Sequence, residues 1–306
     1  MKYLTLWALL ALIWSSSYAA IKLGVESISP LTLVAVRMLI GTSLMLILLR
    51  VKSLSLPTDP RSLSIFFISG IMGSVVPFSL IGFGEIHVES GLAALLMGIA
   101  PVVTVLLAPL VHPDEKLTPS AVAGICIGTL GLIVLVGPES LNGLGSHLAG
   151  QAAILGAALC YAFTTLYVRK YASRPALEMA AGSMLTGTVV IVIAALILES
   201  PTHLPHASAQ SIIAVLYLGL FPTALATLIY FYLVPRIGAA RMSQVNFVVP
   251  VVGAFLGVIF LGEILKPTAF VALALILIAV YLVTRKKRAG HRHNIAGRTV
   301  NSRQID

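Results

Sequence analysis

Apolar runs of roughly 20 residues recur along nearly the whole chain, and short polar connectors separate them. A helix of that length crosses a hydrocarbon core about 30 Å thick. Turn-forming residues such as Ser29-Pro30 and the stretch 57–60 mark the connectors. The pattern predicts ten membrane-spanning helices, at residues 3–23, 30–50, 63–84, 90–110, 119–137, 149–169, 176–198, 210–232, 240–261 and 267–284.

The composition agrees with an all-α membrane protein. Of the 306 residues, 58% are hydrophobic and 10% are charged, whereas a soluble domain carries about 25% charged residues. No connector is long enough to form a soluble domain, so any binding has to take place within the helix bundle. Cys126 and Cys160 fall inside predicted helices without a CxxC spacing, which excludes a disulfide framework and predicts two small core residues.

Positive charge is distributed unevenly between the two sides of the predicted bundle. Seventeen of the 20 Lys and Arg residues fall on the side that carries both chain ends, Lys22 and Lys266 fall on the other side, and Arg37 lies inside a helix. Basic loops stay in the cytoplasm, so we expect a multi-pass protein of the cell inner membrane with cytoplasmic N- and C-termini. The same bias explains the net charge of +9 without nucleic acid as a partner.

The chain ends in a basic cytoplasmic tail, residues 286–306, which we expect to lie against the lipid bilayer. Its Lys and Arg residues attract anionic lipid headgroups and so help to fix the orientation of the chain in the membrane.

A motif recurs in the two halves of the chain. Pro101-Val102-Val103, Glu115 and Pro119 in the first half correspond to Pro250-Val251-Val252, Glu263 and Pro267 in the second. Because five helices per half is an odd number, the second half enters the membrane in the opposite sense. We therefore expect two inverted five-helix repeats, residues 1–137 and 149–285. Inverted repeats are typical of secondary transporters, in which a central site faces each side of the membrane alternately.

Four stretches of the chain carry more specific information. They read LIWSSSYAAIKLGVESISPLTLVAVRMLIGT, APVVTVLLAPLVHPDEKLTPSAVAGICIGTLGLIVL, LYLGLFPTALATLIYFYLVPRIGAARMSQVNF and VVPVVGAFLGVIFLGEILKPTAFVALALILIAVYLV. Together they resemble the EamA family of the drug/metabolite transporter superfamily. The resemblance implies ten helices, cytoplasmic termini and export of amino acids, related metabolites or drugs, and it does not identify the cargo.

Prolines and polar side chains within the predicted helices indicate where a transport pathway lies. A proline frees a backbone carbonyl, which in lipid has to face protein or a watery cavity; a kink caused by tight packing is the alternative. Pro77 loosely corresponds to Pro222, and Pro101 to Pro250. We predict substrate binding by Trp14, Ser17, Arg37, Pro77, Phe78, Tyr161, Thr165, Gln244 and Asn246, and gating or coupling by Glu85, Pro101 and Pro250.

Arg37 is the charge that lies clearly inside a predicted helix, about 10 Å from its outer end. An intramembrane Arg is energetically costly and indicates function by default. Its planar guanidinium suits a substrate carboxylate. Pairing with Glu85 and snorkelling towards the membrane surface are the alternatives.

The motifs that are missing from the sequence narrow the function. No HExxH, GxSxG or GxxxxGK[ST] motif and no metal-ligand cluster occurs, so we expect no enzyme, cofactor or metal. The sequence shows no ring of charge that would indicate a channel. No Asp or Glu falls at the midplane, which disfavours proton-coupled export of cationic drugs.

These observations predict an alternating-access exporter of small metabolites, in particular amino acids. The alternative is an exporter of amphipathic drugs or other metabolites through the same cavity. Gly124-x-x-x-Gly128 and Gly253-x-x-x-Gly257 predict close helix packing within the bundle of a monomer or a homodimer.

Overall fold

The computed structural model of the chain describes residues 2–88, 96–137, 147–199, 207–261 and 267–284, together with residues 93 and 144. Regular structure in these residues is helical throughout. The helices are α1 (Lys2–Val25), α2 (Pro30–Val51), α3 (Pro60–Gly70), α4 (Val76–His87), α5 (Ile99–Val111), α6 (Pro119–Val136), α7 (Leu148–Tyr171), α8 (Ala176–Leu198), α9 (Ala209–Leu218), α10 (Ala226–Ile237), α11 (Ala239–Ser243), α12 (Val245–Leu261) and α13 (Thr268–Thr284).

Two of the long helices contain a wide, π-helical turn. The segment Ile71–Val75 joins α3 to α4, and the segment Gly219–Leu225 joins α9 to α10. The helical stretches that flank these segments have similar lengths, 11 and 12 residues around the first and 10 and 12 around the second.

Six helices are long and apolar enough to cross a membrane: Lys2–Val25, Pro30–Val51, Pro60–Gly84, Leu148–Tyr171, Ala176–Leu198 and Ala209–Ile237. The other apolar helices are shorter, among them Ile99–Val111 and Thr268–Thr284. The predicted start of the fourth helix at residue 90 lies outside the described residues, and the ninth predicted helix, 240–261, is observed as two helices, α11 and α12. The other predicted bounds differ from the observed ones by up to five residues, at Ile237. A multi-pass membrane protein is therefore supported, while the arrangement of ten helices as two inverted repeats stays a prediction.

Local sequence determines where several helices begin. Asp59-Pro60 and Thr118-Pro119 each place a capping residue in extended conformation directly before a proline in the first turn. The Asp59 carboxylate accepts from the N–H of Ser62 at 2.9 Å, and the Thr118 hydroxyl accepts from the N–H of Ala121 at 3.2 Å. The side chains thus satisfy N–H groups that have no partner within the helix, and the prolines occupy positions that need no donor.

A residue far along the chain caps α2. The Glu199 carboxylate, just after α8, accepts hydrogen bonds from the N–H groups of Leu31 and Thr32 at 2.9 and 2.8 Å and from the Ser29 hydroxyl at 2.6 Å. Partial burial of this carboxyl raises its pKa, but the hydrogen bonds outweigh that effect, and the pKa of Glu199 lies below its ordinary value.

Helices from the two halves of the chain interleave, and the largest cluster of buried residues draws on both halves. The most extensive contacts across the halves pair α1 with α12, α2 and α3 with α8, α4 and α5 with α7, and α6 with α13. Much of the buried surface of each half therefore lies against the other half.

Small residues let α6 and α13 approach closely, as the glycine spacing predicted. A Cβ atom at Gly124 would lie 2.9 Å from the carbonyl oxygen of Ala279, and one at Gly128 would meet the ring of Phe247 at 2.6 Å. Gly253 is less confined, since its nearest neighbour would be the Ser15 carbonyl at 3.7 Å. The surroundings of Gly257 lie outside the described residues.

The prediction that both cysteines belong to the core was wrong for one of them. Cys126 is exposed on α6, whereas Cys160 is half-buried on α7. In a membrane bundle the outward face of a helix contacts lipid, so a thiol there avoids water without being in the core.

Candidate functional site

A cavity lies between helices of both halves. About 940 Å³ of space free of atoms lies within it, a figure that includes open solvent. Side chains of α1, α2 and α4 form one part of the wall, and side chains of α7, α10, α11 and α12 form the other. The lining reaches Val25 at the end of α1 and Pro30 at the start of α2. The cavity therefore extends to the end of the bundle where those two residues lie.

The structure brings seven of the nine residues predicted for substrate binding to this cavity. They are Trp14, Ser17, Arg37, Phe78, Tyr161, Thr165 and Asn246. The other two do not line it: Pro77 is buried next to Phe78, and Gln244 is fully buried beside Ser243. The Oε1 atom of Gln244 has no hydrogen-bond partner among the described residues.

The three residues predicted for gating or coupling lie elsewhere. Pro101 is buried in the first turn of α5, and Pro250 is half-buried within α12; neither lines the cavity. Glu85 belongs to α4, one turn beyond the lining residue Ile81, but its side chain lies outside the described residues. The alternative in which Glu85 pairs with Arg37 therefore stays untested.

Prolines mark the two π-helical turns. Pro77 follows the segment Ile71–Val75 within the first turn of α4, and Pro222 lies inside the segment Gly219–Leu225. A proline cannot donate to the α-helical ladder, so a wider turn accommodates the missing hydrogen bond. Wide turns of this kind occur frequently at functional sites, and here they lie beside Phe78 and Thr223, which both contact Arg37.

Arg37 is held deep in the bundle with its guanidinium in a defined orientation. It is 3% exposed, its Nε donates to Oγ1 of Thr223 at 2.8 Å, and its guanidinium carbon lies 4.2 Å from the centre of the Phe78 ring. Tyr161 of α7 lies close enough to interact with it electrostatically. The described ion pairs do not include Arg37. Its charge is thus buried at the cavity wall and contacts a hydroxyl and an aromatic face.

Two aromatic side chains lie close together in the cavity wall, on α1 and α10. The Tyr230 hydroxyl donates to Oγ1 of Thr165 at 3.1 Å, and the rings of Tyr230 and Trp14 lie 6.2 Å apart. Thr165 in turn donates to the carbonyl of Tyr161 at 2.7 Å. Tyr230 was not among the predicted residues, because the helix predicted at 210–232 places it near a helix end, where aromatic residues are common in membrane proteins. The observed helix continues to Ile237, so Tyr230 lies deeper than predicted.

An ion-pair cluster lies one turn further along α7. Arg169, one turn after Thr165, contacts the carboxylates of Glu115 at 3.1 Å and Asp114 at 2.7 Å and donates to the Pro235 carbonyl at 2.7 Å. This cluster joins the connector before α6 to the ends of α7 and α10. It therefore connects helices at the end of the bundle opposite Val25 and Pro30.

Glu115 also caps the start of a helix of the second half. Its carboxylate accepts from the N–H groups of Ala239 and Ala240 at 2.8 and 2.9 Å, at the start of α11. Gly238 precedes them with φ of 90°, a conformation that a side chain would strain, and a Cβ there would lie 2.8 Å from Oε1 of Glu115. The sequence marked Glu115 as part of the repeat without indicating this contact, because the partners are more than 120 residues apart.

The described part of the chain contains no cluster of side chains typical of a metal site. No group of three or more His, Cys, Asp or Glu side chains there could hold a metal ion.

A membrane helix bundle with a cavity between its halves is typical of small-molecule transporters. Comparison with known proteins places the chain within that class. The model of the EamA-like transporter family matches residues 1–137 and 148–285, and the chain belongs to this family.

Several curated proteins resemble the chain over most of their length. The uncharacterized inner membrane transporter YedA of Escherichia coli K12 is 32% identical over 91% of this chain and 89% of its own. An uncharacterized transporter of Archaeoglobus fulgidus is 27% identical over 92% and 99%. A protein of Streptantibioticus cattleyicolor named "Probable terminal-alkyne amino-acid exporter" is 28% identical over 92% and 93%.

A solved crystal structure shares the fold. It superposes with a TM-score of 0.79 at 22% identity and covers 92% of this chain and 96% of its own. At that identity the likeness concerns the arrangement of the helices and not the cargo.

Proposed function

We propose that the protein exports small metabolites, in particular amino acids, across the cell inner membrane by alternating access. The observation that carries the proposal is the cavity, which places Arg37 and several neutral hydrogen-bonding side chains between the two halves of a transporter of the EamA family. The name of the S. cattleyicolor relative, which refers to an amino-acid exporter, supports the same cargo class.

The two halves of the chain support an alternating mechanism. In the proposed topology, residues 1–137 and 149–285 are inverted repeats, and the matched prolines and π-helical turns in α3–α4 and α9–α10 agree with that relation. With both termini in the cytoplasm, the mouth at Val25 and Pro30 faces outwards and the Arg169 cluster faces inwards. The cavity then corresponds to the state that releases cargo outside, and loading requires the Arg169 cluster to open.

Counterflow in proteoliposomes tests this function. Purified protein is reconstituted with one unlabelled amino acid inside, and uptake of the labelled amino acid is measured against protein-free liposomes. We expect saturable uptake with at least one amino acid. Folded protein that exchanges none of them would contradict the proposed cargo.

Two substitutions test the placement of the pathway. Trp14→Ala and Asn246→Ala remove side chains from opposite parts of the cavity wall, and we expect both to abolish counterflow while the protein stays folded. Leu12→Ala on the exposed face of α1 is the matched control and should leave counterflow unchanged. Normal counterflow in both cavity variants would refute the placement.

An exporter of amphipathic drugs is the second candidate, and the apolar part of the wall favours it. Leu33, Val34, Ile81 and Val249 are lining residues that suit an apolar body. Accumulation of amphipathic compounds in cells with and without the protein distinguishes this candidate, because it predicts lower accumulation in cells that make the protein.

A further inference from the structure

The described lining of the cavity carries a positive charge and no negative charge. Arg37 is the charged residue among the described lining side chains, and no Asp or Glu belongs to that lining. A bound ammonium group would therefore meet hydroxyls, an amide and aromatic rings, but no described carboxylate. A bound carboxylate would meet a fixed guanidinium.

The orientation of Arg37 leaves it able to bind an anion. Thr223 occupies Nε and Phe78 covers one face of the guanidinium, whereas the two terminal nitrogens form no hydrogen bond with a described acceptor. Arg37 has no counter-charge among the described side chains, and a carboxylate that binds both terminal nitrogens offsets the cost of burying an unpaired guanidinium. Neutral donors and acceptors nearby, Tyr161 and Asn246 among them, could bind other polar atoms of the cargo.

The part of the cargo beyond its carboxylate would contact apolar side chains. The lining includes the apolar side chains of Leu33, Val34, Phe78, Ile81 and Met97. These side chains stabilise apolar groups by removing them from water. A charged body would lose its hydration at this apolar part of the wall without gaining a described counter-charge there.

We infer that the cargo is a small monocarboxylate with an apolar or aromatic body, in which the carboxylate is required and the amino group is not. The inference rests on the proposed transport function and narrows its substrate class. Amino acids with apolar side chains satisfy it, and so do carboxylates that lack an amino group.

Three compounds of matched shape separate the two charges. L-phenylalanine carries both groups, 3-phenylpropionate only the carboxylate and phenethylamine only the ammonium. Each is added in excess during counterflow of whichever labelled apolar amino acid the protein exchanges. We expect phenylalanine and 3-phenylpropionate to inhibit with half-maximal concentrations within about tenfold of each other, and phenethylamine to inhibit at least about tenfold more weakly.

Substitutions of Arg37 assign the effect to this residue. Arg37→Gln should abolish counterflow of the labelled amino acid itself, because that cargo also needs its carboxylate bound, and Arg37→Lys should retain part of the counterflow together with inhibition by 3-phenylpropionate, since lysine keeps the charge without the planar fork. Arg50→Gln, in the same helix with an exposed side chain, is the control and should behave as wild type.

Ligand-induced stabilisation gives a readout independent of transport. We expect 3-phenylpropionate to raise the melting temperature of the wild type and of Arg50→Gln but not of Arg37→Gln. Inhibition by phenethylamine equal to that by 3-phenylpropionate would overturn the inference, and so would inhibition by phenylalanine alone. In both cases the transport function would stand. If no amino acid exchanges, the proposed function fails, and the melting experiment still decides whether Arg37 binds carboxylates.

Discussion

Thr223 holds the most deeply buried cation of the described bundle in place. Its hydroxyl accepts the hydrogen bond from Nε of Arg37, and it belongs to the π-helical segment of a distant helix. The side chain is 1% exposed, so water does not replace this contact when it is lost. Orientation of the guanidinium thus depends on a residue that the cavity lining does not include.

Thr223→Val should weaken cargo binding without removing the charge. Valine keeps the shape of threonine but cannot accept from Arg37, and a hydrogen bond to a charged group contributes about 1.5–3 kcal/mol. We expect the half-saturation concentration in counterflow to rise about tenfold. Thr223→Ser keeps the hydroxyl and serves as control. Equal affinity in all three proteins would show that Thr223 does not position Arg37.

The Glu199 carboxylate makes the stability of the protein depend on pH. Its pKa in the folded state is lowered, so it contributes stability at pH values above the unfolded pKa of about 4.3, and this contribution is lost as the pH falls through the folded pKa. The difference in melting temperature between wild type and Glu199→Gln should be largest near pH 7 and shrink below about pH 4.

The control for this pH series is Glu26→Gln. The Glu26 side chain is exposed in the turn after α1, and it accepts no hydrogen bond from a described residue. The melting temperature of the Glu26→Gln variant should equal that of the wild type at every pH. A constant difference between wild type and Glu199→Gln across the pH range would contradict the capping role of Glu199.

The sequence identified polar and charged side chains that are unusual in the interior of an apolar helix. Trp14, Arg37 and Asn246 stand out in an apolar helix and reach the cavity. Gln244 stands out equally but is buried away from it, because its direction depends on the break between α11 and α12. Hydropathy reports depth in the membrane and carries no information on which neighbour a side chain faces.

Local sequence determines where α3 and α6 begin, since each starts with a capping residue followed by proline. The predicted start of α6 at residue 119 is confirmed, whereas α3 begins three residues before its predicted start at 63. The caps supplied by Glu115 and Glu199 were not predictable, since each carboxylate reaches a helix of the other half. Contacts between helices far apart in sequence leave no trace in local composition.

Glu115→Ala should destabilise the protein more than Asp114→Asn does. Both residues contact Arg169, but the Glu115 side chain is 12% exposed and also caps α11, whereas the Asp114 side chain is 63% exposed. Removing Glu115 leaves two N–H groups without partners, at a cost of about 2 kcal/mol. Asp114→Asn should change the free energy of unfolding by less than about 0.5 kcal/mol. Unfolding in detergent measures both, and equal effects would refute the capping role.

At the scale of the whole molecule, the orientation of the bundle decides which side the cavity serves. Loop charges predict that Glu26 faces outwards and Asp114 faces the cytoplasm. Both side chains are exposed, so a thiol at either position is accessible to reagents.

Cysteine labelling tests this orientation. In a background with Cys126→Ala and Cys160→Ala, Glu26→Cys should react with a membrane-impermeant maleimide in intact cells. Asp114→Cys should react only after the membrane is permeabilised. The reverse pattern would place the termini outside and would turn the mouth of the cavity towards the cytoplasm.

Each π-helical turn accommodates one residue more than a regular turn would hold. Removing one residue from Ile71–Val75 would close this turn to a regular one, and because the wide turn alone holds the extra residue, α4 would keep its facing and Phe78 its place at Arg37. Removing one residue from a regular turn of the same helix would instead rotate everything beyond it by about 100°. In these two helices the effect of a single-codon deletion on the side chains that face the cargo therefore depends on where it falls, and the wide turns are the places that absorb one.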